Sequence, residues 1–103
     1  MGSKIATICF NDEAAVGAIR AARELGRESE IVVVGQGADR SGRSEILRPN
    51  SRLIGSTAYM PERYGEMLIE IALRLLKGAS VPPAVYIDHV FLTAENMSQF
   101  YAD

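Results

Sequence analysis

The sequence carries little with which to do covalent or metal chemistry. It has one cysteine, Cys9, so no internal disulfide can form. The neighbours of Cys9 are apolar, and burial among them raises a thiol's pKa and blunts its reactivity. It has one histidine, His89, with no second histidine and no cysteine at ligand spacing, which argues against a metal site. Basic residues form no dense run and the formal net charge is -2, so nucleic acid is not an expected partner of this segment. The longest apolar stretch, Met67 to Leu76, is broken by Glu70 and Arg74 and is too short to span a bilayer. No leader peptide is visible, and Met1-Gly2-Ser3 reads as an expression remnant.

Catalytic motifs are equally sparse. Gly35-Gln36-Gly37 with Gly42 approaches a dinucleotide fingerprint, but Arg40 stands where that fingerprint wants glycine. No phosphate loop ends in Lys-Ser/Thr. Ser56-Thr57 and His89 lack a nucleophile elbow, and Asp12 and Glu13 are explained by the dipole of the helix they begin. The sequence therefore points away from an enzyme and implies no cofactor.

What is present is a regular alternation of strands and helices. The 103 residues, 48% of them hydrophobic, fit one small globular domain. Ile5, Thr7, Ile8, Cys9 and Phe10 form an apolar run with β-branched residues, as a strand covered on both faces requires. A polar turn at Asn11-Asp12 follows. Ala15, Ala18, Ile19, Ala22 and Leu25 then recur at helical spacing, and Gly26 suits the closing position. Ile31 to Val34 is a second strand, followed by the loop Gly35 to Asp39. A short helix is expected over 41–47, capped by Asp39 or Ser41 and stopped by Pro49, with Gly42 weakening it. Arg52 to Thr57 is a third strand, whose Gly55 implies a bulge or a close backbone approach.

A long helix is expected from Pro61 to Lys77, with Leu68, Ile71, Ala72 and Leu75 facing the sheet. Ile69, Leu73 and Leu76 widen its apolar arc, which fits either a deeply seated helix or a subunit contact. Val81-Pro82-Pro83 is a stiff connector, and Ala84 to Leu92 reads as one long extended segment with Asp88-His89 at its middle. The order βαβαβαβ implies an α/β fold: a small parallel sheet with right-handed crossovers and helices on both faces. Four strands leave two open edges, so a second copy or a missing part of a larger protein is expected to cover them.

The segments ICFNDEAAVGAIRAARELG, EIVVVGQG, RLIGSTAYMPERYGEMLIEIALRLLKG and VPPAVYIDHVFLTAEN resemble the C-terminal part of type I periplasmic sugar-binding proteins, a fold shared with LacI-type ligand-sensing domains. The resemblance covers Ile5 to Asn96. It implies half of a two-lobe protein that holds a sugar between lobes joined by three crossing segments. The first lobe and the opening βα portion of the second are missing. Residues 4–90 would be the α/β lobe and 91–103 a crossing segment and tail, with Phe91 to Thr93 in the absent lobe's sheet.

The family's sugar contacts carry over unevenly. Asn11 matches an asparagine that hydrogen-bonds sugar hydroxyls, although it also fits a plain helix cap. Many relatives end the second strand Gly-Phe-Asp-Gly; here Gly35-Gln36-Gly37 lacks that carboxylate, which Gln36 or Asp39 would replace. Tyr59 stands where many relatives have glutamine, and could stack on a sugar or simply pack. Asn11, Asp12, Gln36, Asp39 and Tyr59 are therefore the candidate ligand residues. The resemblance implies a small-molecule sugar, the missing N-terminal lobe and a membrane permease as partners, and a periplasmic location. The alternatives are a LacI-type effector-sensing lobe, or a ligand-free homodimer joined through Ile69, Leu73 and Leu76 or by exchange of Val85–Thr93.

Overall fold

A computed structural model of the chain describes residues 4–101. The expression remnant expected at residues 1–3 lies outside the described residues. Four strands, β1 (Ile5–Ile8), β2 (Ile31–Gly37), β3 (Leu53–Ala58) and β4 (Val90–Leu92), form one sheet in the order β1-β2-β3-β4. Three helices, α1 (Asp12–Glu24), α2 (Arg40–Ile46) and α3 (Tyr64–Leu76), alternate with them. β1, β2 and β3 are parallel, whereas β4 runs antiparallel to β3.

The core lies between the sheet and two helices. Ala15 and Ile19 of α1 and Ile46 of α2 close over Val33 and Leu53, and every one of them is buried. Strands added in sequence order by right-handed crossovers place successive helices on the same face, and α1 and α2 meet there. The expectation of helices on both faces therefore gives way to helices on one. By strand alternation and register, Ala6, Ile8, Val32, Val34 and Phe91 share the other face. No helix among the described residues covers it, and Ile8 is 79% exposed. Phe91 lies over Gly55, where an added Cβ would stand 2.3 Å from its ring, so the close approach read from Gly55 is real.

The long helix departs most from its sequence reading. α3 has no buried residue, and Leu68, Ile69, Leu73, Leu75 and Leu76 are all exposed. Leu68, Ile71, Ala72 and Leu75 therefore do not face the sheet, and the apolar arc is not that of a deeply seated helix. Instead α3 stands out from the sheet edge as an arm. The connector returns along it, with Val81, Pro82 and Val85 bordering a shallow groove against Met67 and Ile71. The molecule measures 64 × 27 × 18 Å, and its radius of gyration is 17.8 Å. A compact domain of this size would have about 13 Å.

The chain leaves the sheet after Ala58 and re-enters at Val90, and those two residues are paired. Only Val90–Leu92 of the expected Ala84–Leu92 strand is regular, and Val85 borders the arm instead. Phe91 and Leu92 pair with β3, so they belong to this sheet rather than to an absent one. The boundary expected between 90 and 91 falls inside β4.

Candidate functional site

The three parallel strands end along one edge, and each delivers a polar side chain there. Open α/β sheets take ligands at this carboxyl edge. β1 delivers Asn11, β2 delivers Gln36 and β3 delivers Tyr59. β4 runs the other way, so its entry places His89 at the same edge.

Asn11 follows β1 with extended backbone, φ -151° and ψ 170°, and caps α1. Its Oδ1 accepts a hydrogen bond from the Ala14 amide at 2.8 Å. Its Nδ2 has no protein partner among the described residues. The Tyr59 hydroxyl donates to Gln36 Oε1. The Tyr59 and His89 rings pack together, with centroids 4.8 Å apart and planes tilted by 55°. Tyr59 is followed by Met60 in the left-handed region, φ 52°, and then by Pro61, which turns the chain into the arm.

Asp12, adjacent to Asn11 in sequence, does something different. It is fully buried, and its carboxylate ties three elements together. Oδ1 accepts from Ser56 Oγ at 2.6 Å, and Oδ2 accepts from the Asp39 amide at 3.0 Å. Ser56 Oγ in turn accepts from the Ala38 amide at 3.0 Å. Burial pushes the Asp12 carboxyl above its ordinary value, partly opposed by the hydrogen bonds from Ser56 and Asp39. Asp12 thus points into the core and not toward the edge, contrary to its place among the ligand candidates read from sequence. Asp39 is also engaged locally: its Oδ1 accepts from the Gly42 amide and Ser41 Oγ, both at 2.8 Å, capping α2.

Of the five sequence candidates, the fold brings Asn11, Gln36 and Tyr59 to one edge and gives Asp12 and Asp39 to the scaffold. Two residues went unrecognised. Ser56 is a polar residue in an apolar strand and serves as the partner of Asp12. His89, which in the sequence is only a lone histidine at the middle of an extended segment, packs against the Tyr59 ring. Its place just before a strand entering at the ligand edge was the available signal. Among the described residues no group of three or more His, Cys, Asp or Glu side chains could hold a metal, and no helix is long and apolar enough to cross a membrane.

The chain matches no protein-family model. It is 34% identical over 95 residues to a protein of Rhizobium meliloti that bears the name rhizopine-binding protein, covering 92% of this chain and 30% of that protein. It is 30% identical over 83 residues to the ribose import binding protein RbsB of Salmonella typhimurium, covering 81% of this chain and 27% of that one. Among solved structures, an ABC transporter solute binding protein from Agrobacterium vitis with bound allitol superposes with a TM-score of 0.81 at 22% identity. That superposition covers 91% of this chain and 32% of the other, a share too large to leave out the arm. The chain spans about a third of the length of the relatives it matches. It is thus a partial-length homologue of ribose- and rhizopine-binding periplasmic proteins, with the fold of a lobe of a type I periplasmic sugar-binding protein.

Proposed function

We propose that this chain supplies one wall of a sugar-binding cleft in a periplasmic binding protein of an import system. The observation that carries the reading is the convergence of Asn11, Gln36, Tyr59 and His89 at the carboxyl edge of the sheet. An amide can meet a hydroxyl either as donor or as acceptor, which suits a polyol. The role is binding and not catalysis. The second wall comes from the rest of the protein, onto which α3 docks through its exposed arc of Leu68, Ile69, Leu73 and Leu76. Closure of the two walls by hinge motion would produce the form that a membrane permease recognises. An import role is favoured over a LacI-type sensor because RbsB is named as an import binding protein.

The test is a thermal-shift series with ribose, allitol and myo-inositol at about 100 mM. A half-site with a Kd of ~1 mM gains about 2.7 kcal/mol at that excess, or roughly ten degrees. A selective shift lost in Asn11→Ala supports the reading, and no shift with any polyol refutes it for this lobe.

The exposed arc of α3 and the bare sheet face favour a second reading, a ligand-free homodimer joined through Ile69, Leu73 and Leu76 or by exchange of Val85–Thr93. Sedimentation measures this directly, and a strictly monomeric chain at high concentration excludes it.

A further inference from the structure

We propose that Tyr101 is a positioning residue: clasped between Arg43 and Glu62, it fixes the direction in which the arm leaves the ligand edge. The consequence for the cleft rests on the sugar-binding reading above. There the arm carries the second wall, so its direction sets how wide the cleft stands.

The arm joins the sheet through two segments. Tyr59 and Met60 lead out, and Asp88 and His89 lead back. They lie side by side, because Ala58 pairs with Val90. Two neighbouring attachments hold the arm's root in place. They leave it free to swing toward or away from the helix-bearing face of the sheet, as a hinge does. A third contact off that line removes the swing.

Tyr101 makes that contact. Its hydroxyl donates to Glu62 Oε1 at 2.8 Å. Glu62 lies in the short helical turn Pro61–Arg63 that runs straight into α3. On its other side the Tyr101 ring lies under the Arg43 guanidinium, 4.0 Å from the ring centroid. Arg43 belongs to α2, so the clasp reaches the arm from the helix-bearing face. Arg43 is itself fixed, its Nη1 donating to the Ala38 carbonyl at 2.7 Å. The tail that carries Tyr101 is anchored too. Met97 is buried in the core, and its carbonyl accepts from the Tyr101 amide at 2.9 Å.

The ionisation states suit the clasp. The Glu62 carboxyl is held below its ordinary value, first by its own backbone amide and then by the Tyr101 hydroxyl. Burial, and then Glu62, pushes the Tyr101 phenol up. A neutral phenol therefore faces an ionised carboxylate, and charge-assisted hydrogen bonds are the stronger kind. The contacts also close a ring back to the ligand edge. Glu62 follows closely on Tyr59, which bonds Gln36, and the carbonyl that Arg43 holds belongs to Ala38, just beyond Gln36. An arm that swings against the clasp pulls, through Arg43, on the loop that carries Gln36.

The experiment measures the arm's direction with no sugar present, so its failure is separate from that of the sugar-binding reading. Cys9→Ala removes the native thiol. Spin labels go on Arg20→Cys in α1 and Lys77→Cys at the arm's tip, both exposed positions. Double electron–electron resonance reads the distance between them. The parent should give one narrow distribution. Tyr101→Phe keeps the ring under Arg43 but lacks the hydroxyl. It should broaden the distribution at least about twofold, since losing such a bond shifts a two-state balance about fivefold. Glu62→Ala should do the same, and the two together no more than either alone, as one shared contact requires. Glu62→Gln keeps an accepting oxygen and should stay close to the parent. Thermal midpoints should stay within about 3 °C across the series, which separates positioning from loss of folding. Should Tyr101→Phe unfold the tail, Glu62→Ala decides alone, because Glu62 is exposed. Equal widths in the parent and both deletion variants overturn the clasp, whether all are narrow or all broad. So do additive effects of the two deletions, or a Glu62→Gln variant as broad as Glu62→Ala.

Discussion

Replacing Gly42 with alanine should destabilise the chain, although helix propensity alone argues the opposite. Gly42 lies inside α2, where alanine ordinarily gains about 1 kcal/mol. Here an added Cβ would stand 2.0 Å from Asp12 Oδ2 and 2.4 Å from its Cγ. Both distances are far inside van der Waals contact, so the carboxylate must move. Moving it breaks the hydrogen bonds from Ser56 and the Asp39 amide, and leaves the first donor stranded in the core and the second half-buried. Each stranded donor costs about 1–3 kcal/mol. Against the propensity gain, the net loss is about 1–5 kcal/mol, or roughly 5–25 °C in Tm.

The same geometry predicts coupling. With Asp12→Ala already present, the oxygens and Cγ are gone and only the Asp12 Cβ, 2.8 Å away, still crowds the site. Gly42→Ala should then cost at least about 1.5 kcal/mol less than in the parent chain. The assay is a double-mutant cycle by urea unfolding. Additive losses within about 0.5 kcal/mol would refute the claim that Gly42 exists to make room for Asp12.

Other outcomes follow from the same contacts. The Asp12 carboxyl is raised by burial, so as pH climbs the unfolded chain releases this proton first. The Asp12 contribution to stability should therefore fall as pH rises from the ordinary carboxylate range through the raised folded value, and stay level above it. Asp12→Asn should flatten that slope, as read from urea midpoints between pH 4 and 7. Asn11→Ala removes the cap on Ala14 and should cost about 1 kcal/mol in the free chain, measured by thermal unfolding. Ile19→Ala should cost about 2–5 kcal/mol because Ile19 is fully buried, whereas Leu73→Ala on the arm should stay within about 0.5 kcal/mol. A comparable loss at both positions would mean that α3 packs on the sheet after all.

The alternation of strands and helices was legible because apolar periodicity is a local property. α1 and the Asp39 cap of α2 lie where the spacing put them. What escaped was what depends on partners distant in sequence. Asp12 begins a helix, and from its neighbours alone it reads as a dipole-favouring acid or a ligand contact. Only Ser56 and Asp39, brought in by β3 and α2, make it a core tie. Gly42 looked like a weakness in its helix for the same reason. The apolar arc of α3 was read correctly as unusually wide, but periodicity says only that a face needs burial, not against what. The site was legible in part: Asn11, Gln36 and Tyr59 follow strand ends, and strand ends can be read. The contact of Tyr59 with His89 could not be, because it depends on β4 entering beside β3.

The adjacency of Ala58 and Val90 carries a kinetic consequence. A hairpin joins neighbouring antiparallel strands through about two residues, whereas here roughly thirty intervene, which raises the entropy of loop closure by about 2.4 kcal/mol. A three-residue strand returns little against such a loss. β4 should therefore zip on late, and its amides should exchange with solvent before those of β2. Any surface that clamps the arm into a fixed shape removes that entropic burden, because it delivers the two strand ends already side by side. Grip at the far tip of α3 is then felt as order at the sheet edge, beside Tyr59 and His89, with no change in their own contacts.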